Sequence, residues 1–490
     1  MNRINNYLVL VFLAGVILFF VHRGQFEFAA LVPAALLACW LVTVRGRLIY
    51  WALFAEFALL TLPVTRLREF SLAFLLQLVF VAGELLNQLA GKKKLNYPKS
   101  SKFLFVFVVL LAVTAKVRGF GIYALGGSSI GGMDYVIFGI RIAFIAFAFA
   151  YANTYRMDIR KLYRFVLAGT LVYFAFNMLV YFVPSTTGLV TKFCNVMFAG
   201  GGSEVVAERI AKGQTSARRI YAFYYVPFAL MPYVMRQTLL KKRILLGAGC
   251  VLLAALSGFR TAVVIVGTLF AISELFIYKL DFSKAILGAG LLVLFLGASW
   301  VALPMMDARI QRAYTVIPGF GNRGSADARL SAASSDEWRK NLYVVCIKNI
   351  PQYLLVGRGL GDDLTAVYDR VVIRGGRIRS PQEDAQWAYE MHAYHLAIFE
   401  LFIEYGGIAA GFMLAAFLFL MRQGRRQLRK LGERATTDEK YALACFAAML
   451  LGMISYFSGF SGGFLNMIMY GAVALAFVSH GRGPETVMNQ

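Results

Sequence analysis

Two of the chain's four histidines stand three residues apart in Met391-His392-Ala393-Tyr394-His395, directly ahead of a long apolar run. An imidazole accepts a proton near neutral pH without a large pKa shift, so either ring could act as base toward a hydroxyl. Within the run that follows, Glu400 and Glu404 are one helical turn apart on one face. Acids buried there need partners, and Arg141 and Arg260 are the candidates. A metal held by His392 and His395 lacks a third ligand at helical spacing, so no metal centre is expected.

The arginines form a second group. Arg260 lies in Ser257-Gly258-Phe259-Arg260-Thr261, which joins two apolar runs with almost no loop and so sits at a membrane interface. Arg218 and Arg219 open another run from the same side, and Arg141 lies about two turns into a third. A guanidinium stays charged at any pH and meets phosphate oxygens as a fork. Converging at one leaflet, these groups suit a pyrophosphate ligand; snorkelling to lipid headgroups is their alternative use. A third element, Gly357-Arg358-Gly359-Leu360-Gly361, follows a helix rather than a strand, which argues against a dinucleotide fold. Close backbone approach or a tight turn accounts for its glycines equally well.

Such groups must be positioned by membrane helices. The chain has 490 residues, 59% hydrophobic and 16% charged, against about 25% charged in a soluble domain. Its formal charge of +24 lies in short basic clusters between apolar runs, as in the flanks of spanning helices, and no nucleic-acid module interrupts them. A span needs about 20 apolar residues. Candidates lie near residues 14, 34, 56, 80, 110, 146, 173, 228, 250, 269, 295, 408, 449 and 470, giving 12 to 14 transmembrane helices.

Alternate loops carry Arg45 and Arg47, then Lys92 to Lys102, Arg156 to Arg164, Arg236 to Arg243, Lys279 and Lys284, and finally Arg422 to Lys440. The bias of positive charge places all of them, and both termini, in the cytoplasm. The expected organisation is N-terminal transmembrane helices at 1–184, an external loop at 185–219, transmembrane helices at 220–303, a large external loop at 304–391, C-terminal transmembrane helices at 392–480 and a cytoplasmic tail at 481–490. In the large loop a helix is expected from Asp336 to Asn349, with Trp338, Leu342 and Val345 as an apolar stripe against the membrane surface. The five cysteines are scattered without a paired spacing and form no metal or disulfide framework; Cys194 and Cys346 alone fall in or beside external segments, and a bond between them is only a minor alternative.

Taken in order, Ser-Gly-Phe-Arg-Thr-Ala around Arg260, Gly357 to Gly361, and His395 nine residues before Glu404-Tyr405-Gly406 resemble the O-antigen ligase and polymerase family, most strongly over about residues 200–420. The resemblance implies an all-α polytopic fold of GT-C type in a bacterial inner membrane, with its site facing the periplasm. It implies transfer of a glycan from undecaprenyl pyrophosphate to a glycan or lipid acceptor, without cofactor or metal. A chain-length regulator or flippase is a candidate partner. His395 would be the base, Arg260 and Arg219 would hold the pyrophosphate, and His392 is a second candidate base. A transporter or flippase of lipid-linked saccharide is the rival from another class.

The topology is directly testable. A reporter fused after Lys430 should read cytoplasmic and one inserted near Ala332 external; the opposite reading at either position overturns the orientation.

Overall fold

The computed structural model describes residues 45–61, 71–91, 95–119, 129–130, 132–155, 157–194, 240–256, 260–306, 311, 314, 319–360, 362–363, 381–390, 392, 394, 396–430, 436–458 and 471–476. The spans expected near residues 14, 34 and 228, together with Arg218, Arg219, Gly361 and His395, lie outside them. Among the described residues five helices are long and apolar enough to cross a membrane, and the chain is a membrane-embedded, almost wholly helical protein. In lipid a helix meets its own backbone hydrogen-bonding needs, which is why long apolar runs take this form.

The first described helix, α1 (Arg45–Phe57), is only 13 residues long, too short to count as the full span expected near residue 56. It packs against α2 (Leu72–Leu89) and α5 (Ile159–Phe182). Between them in sequence come α3 (Lys99–Arg118) and α4 (Gly132–Thr154), followed after α5 by the short α6 (Thr187–Phe193). Chain starts are set by caps: Ser71 Oγ accepts from Phe74 N at 3.0 Å, and Asp158 Oδ1 accepts from Arg160 N at 2.9 Å.

Helix α4 is the central one, with 67% of its span buried against 39% for the other four. Its run Phe144-Ile145-Ala146-Phe147-Ala148-Phe149-Ala150 alternates large and small residues. The alanines admit neighbouring helices closely while the phenylalanines fill the gaps. Phe80 of α2 meets Phe144 edge-on at 5.3 Å, one of several such aromatic contacts.

Further along are α7 (Leu240–Leu256), α8 (Arg260–Ile272), which widens into a π turn over Ser273–Ile277, and α9 (Phe282–Ala302). The segment expected outside the membrane contains α10 (Ala326–Asn349) and α11 (Pro381–Glu390), then α12 (Ala397–Glu404). The bundle resumes with α13 (Gly407–Lys430) and α14 (Thr437–Ser458). A two-residue ladder, β1 (Ser129–Ile130) with β2 (Asp362–Asp363), is antiparallel.

Side-chain contacts sort the connecting segments into two ends. At one end Tyr50 Oη accepts from Asp158 N, Asn96 N donates to Thr154 Oγ1, and Arg160 pairs with Asp438 at 3.1 Å. Arg243 and Lys440 both face the Tyr278 ring there. Several of the basic clusters adjoin these segments. Away from that end lie Arg118, Tyr135, Val356 to Leu360 and Glu404.

Four expectations change. The span expected near residue 408 is broken at Tyr405-Gly406, where Gly406 has φ 91°, so α12 stands apart and the span begins at Gly407. The loop helix starts at Ala326, ten residues early, and its stripe of Trp338, Leu342 and Val345 packs into a cluster with Ala385, Tyr389, Phe399 and Ile403 rather than facing lipid. Apolar partners from α11 and α12 outcompete the membrane for that face. Both Cys194 and Cys346 are free thiols, so the minor alternative of a disulfide between them is not realised, and Cys194 Sγ donates to the Ala58 carbonyl at 3.3 Å.

The fourth change concerns Arg141, whose Nη2 meets Glu56 Oε1 at 2.7 Å rather than Glu400 or Glu404. Glu56 Oε2 also accepts from Gln77 Nε2 at 2.8 Å, so α1, α2 and α4 are tied around one buried carboxylate. Removing one partner of a buried pair costs roughly 3–5 kcal/mol. The Arg141 side chain is 31% exposed, which puts Arg141→Ala toward the lower end of that range. Thermal unfolding in detergent should show that loss, and Glu56→Gln in the same background should recover part of it; no recovery would mean the pair is not what holds these helices.

Candidate active site

Every helix leaves its last carbonyls without intrahelical partners. At the end of α12 the glycine run supplies them: Arg358 N donates to Ile403 O at 2.6 Å and Gly359 N to Glu404 O at 2.9 Å. Ile408 N returns a bond to Leu354 O at 3.3 Å. The two backbones lie so close that a Cβ on Gly357 would collide with the Glu404 carbonyl. Gly359, at φ 93°, packs on the Tyr135 hydroxyl and the Arg118 stem. Close backbone approach, one of the two explanations the sequence left open, is therefore the operative one at Gly357.

Three anchors, two tyrosines and an arginine, fix this junction to the bundle. Tyr405 stacks on Phe138 of α4, ring centroids 4.8 Å apart and nearly parallel, and meets Phe107 of α3 at 5.5 Å. Arg118, last residue of α3, donates from Nε to Gly357 O at 2.7 Å and from Nη2 to Val356 O at 3.2 Å. Tyr135 Oη accepts from Leu360 N at 2.8 Å.

Arg358 points the other way, toward the end of α11. Its Nη1 donates to Tyr389 O at 2.9 Å and its Nη2 to Glu390 O at 3.0 Å. A cation at a helix C-terminus satisfies free carbonyls and opposes the helix dipole. The guanidinium also faces the Tyr389 ring at 5.3 Å and lies 3.4 Å from Tyr394 Oη. Thus the arginine in the middle of the glycine run organises protein carbonyls.

Just beyond α11 the chain turns through His392, a non-glycine residue at φ 57°. That left-handed conformation is uncommon for such a residue and is held by surrounding contacts. His392 N donates to Tyr389 O at 3.2 Å, and its Nδ1 lies 2.6 Å from Glu404 Oε1. The Glu404 side chain is 5% exposed and that of His392 15%. Burial pushes the Glu404 carboxyl above its ordinary range, opposed by the hydrogen bond from His392 and by the Arg358 charge, with Asp134 adding to the rise. Burial likewise keeps the Tyr394 hydroxyl protonated well past its usual range.

The arrangement can orient an imidazole and exchange a proton with it. A carboxylate at Nδ1 fixes ring direction and tautomer, and it stabilises the imidazolium formed when the ring accepts a proton. Glu400, one turn before Glu404 on α12, is half-buried. Arg260 is the first residue of α8. Arg141 is with Glu56, apart from this cluster. Among the described residues no group of three His, Cys, Asp or Glu side chains is placed to hold a metal ion.

The structure brings together His392, Glu404 and the glycines, which the sequence singled out, and adds Arg118, Tyr135 and Tyr394 around them; it also adds Glu56 as the partner of Arg141. Glu56 carried a signal, a lone acid inside an apolar run, and Tyr394 stood within the histidine motif without being singled out, whereas nothing local marks Tyr135.

Gly357→Ala should destabilise this junction by about 1–3 kcal/mol, the usual range for overpacking. Gly267→Ala, where the Cβ direction is open, should be near neutral. Limited proteolysis and thermal unfolding of the purified protein check both, and a neutral Gly357→Ala would refute the close approach. Comparison of the chain with protein-family models, with curated proteins and with solved structures gives no match.

Proposed function

We propose that this protein is a glycosyltransferase of the GT-C type, a polymerase or ligase that moves a glycan from undecaprenyl pyrophosphate to an acceptor sugar hydroxyl. The site would face the side of the membrane opposite the basic loops, the periplasm of a bacterial inner membrane. The observation that carries this reading is the meeting of the glycine run with the segment from His392 to Gly406. Elements about 45 residues apart in sequence, singled out for their chemistry, interlock through Arg358 N to Ile403 O and Gly359 N to Glu404 O.

In this reading His395 takes the acceptor proton, the freed oxygen attacks the anomeric carbon, and the bond to pyrophosphate breaks. Charge develops on the leaving pyrophosphate, where preorganised cations help most. Arg260, Arg219 and Arg218 are the groups assigned to it. Arg141 is charge-compensated by Glu56, so its share is the smallest. His392, held by Glu404, orients the segment that carries His395 and contacts sugar.

A transporter or flippase of lipid-linked saccharide is the second reading. The Glu56–Arg141 pair inside the bundle favours it, because ionisable residues among spans often mark a translocation path.

Reconstituted protein with a lipid-linked oligosaccharide donor decides among these. His395→Ala should bind donor yet form essentially no product, whereas His392→Ala keeps a measurable rate. If His395→Ala still turns over while His392→Ala does not, the base is misassigned. If the intact protein moves donor across vesicles and never forms product, the transport reading replaces the transferase.

A further inference from the structure

Helix α10 has two apolar faces, and only one is covered. Leu342 and Cys346 are fully buried against α11 and α12. On the opposite side Val344 and Ile347 are exposed, Ile347 by 59%. The helical path does not stop at Asn349. It tightens into a 3-10 turn over Ile350–Tyr353, and Leu354 keeps right-handed helical angles (φ −60°, ψ −36°). Val344, Ile347, Pro351 and Leu354 therefore recur every three or four residues and form one stripe. Leu355, 77% exposed, extends it.

This stripe is joined to a membrane-spanning helix. Leu354 O accepts from Ile408 N, second residue of α13, and Ile408 is itself exposed. The end of α10 is thus level with the start of a span and continuous with its outward surface. Charge along the same side changes in the order a bilayer boundary demands. Glu337 stands farthest from the tip, Lys340 comes one turn before Val344, and Lys348 stands between Ile347 and Pro351, all three exposed. Lysines at such a boundary lay their stems along apolar surface and reach lipid phosphates with their ammonium groups.

We propose that the end of α10 together with the turn that follows it, from Val344 to Leu355, rests in the headgroup–acyl boundary of the leaflet on the side of the glycine run. The bilayer is the occupant because the stripe meets the exposed surface of a spanning helix at Leu354 and Ile408, and the exposed charges along it from Lys340 to the tip are lysines. Sequence periodicity suggested a helix lying on the membrane; the face that does so is the reverse of the one expected. Its consequence is positional. The glycine run begins two residues after Leu355 and is bonded to Glu404, so the anchored tip holds that site at headgroup height. A lipid-linked pyrophosphate would lie at that level, although the anchoring itself does not depend on the transferase reading.

The test uses the full chain in vesicles of phosphatidylethanolamine and phosphatidylglycerol. A benzophenone amino acid replaces Ile347, Leu355, Glu337 or Leu418 in turn. Leu418, exposed within α13, is the lipid-facing standard. After illumination, mass spectrometry should find lipid adducts at 347 and 355 at yields close to that at 418 and several-fold above that at 337. Adducts to another protein or a second copy at 347 and 355 would overturn the proposal, as would yields there no higher than at 337. Because two positions are read, misfolding of one variant leaves the other to decide, and no step requires catalytic activity.

Discussion

The close contact between Gly357 and the carbonyl of Glu404 is the constraint on which the rest of this end of the molecule depends. Without a Cβ at 357 the backbone enters the space in which α12 leaves its carbonyls unbonded, and two amides of the glycine run then satisfy them. That single approach fixes the height of α12 relative to α13, since Gly406 and Gly407 lie against Leu354 and Val356 on the other side. It fixes the end of α11 as well, because Arg358 is carried by the same run and reaches the carbonyls of Tyr389 and Glu390. His392 and Glu404 meet only once both ends are set.

Charge inside the bundle follows a different logic. An ionisable group among packed helices is expensive, and two of the buried glutamates, Glu56 and Glu274, are each paired with an arginine. Glu56 has Arg141 and Gln77. Arg243 and Glu274 form a fork, with Nε to Oε1 at 2.9 Å and Nη2 to Oε2 at 3.0 Å, against the Tyr278 ring. The π turn at Ser273–Ile277 contains this glutamate. One such pair lies among α1, α2 and α4, and the other joins α7 to the end of α8, so the charges bind helices that apolar contact alone would leave free to slide.

Around the candidate site the polar groups serve three distinct purposes. Arg118 and Arg358 answer backbone carbonyls, Tyr405 anchors the junction in the aromatic core, and the His392–Glu404 pair is the group with proton chemistry to offer. Its backbone strain at His392 and its buried carboxylate both cost stability, and sites that retain such features commonly do so for function. The anchored tip of α10 would hold all of this at the level where a lipid pyrophosphate lies.

By itself the sequence determined the membrane setting and the helical class. Those follow from run length and local composition, each readable within about 20 residues. It also marked the glycine run, His392 and Glu404, because unusual residue types stand out against an apolar background. Tertiary structure alone decided the partners. Glu56 and Arg141 are 85 positions apart and Arg118 and Gly357 are 239 apart, separations over which helical periodicity carries no information. It also decided which face of α10 is inside: both stripes are apolar, and only the arrival of α11 and α12 on one of them makes the other the surface.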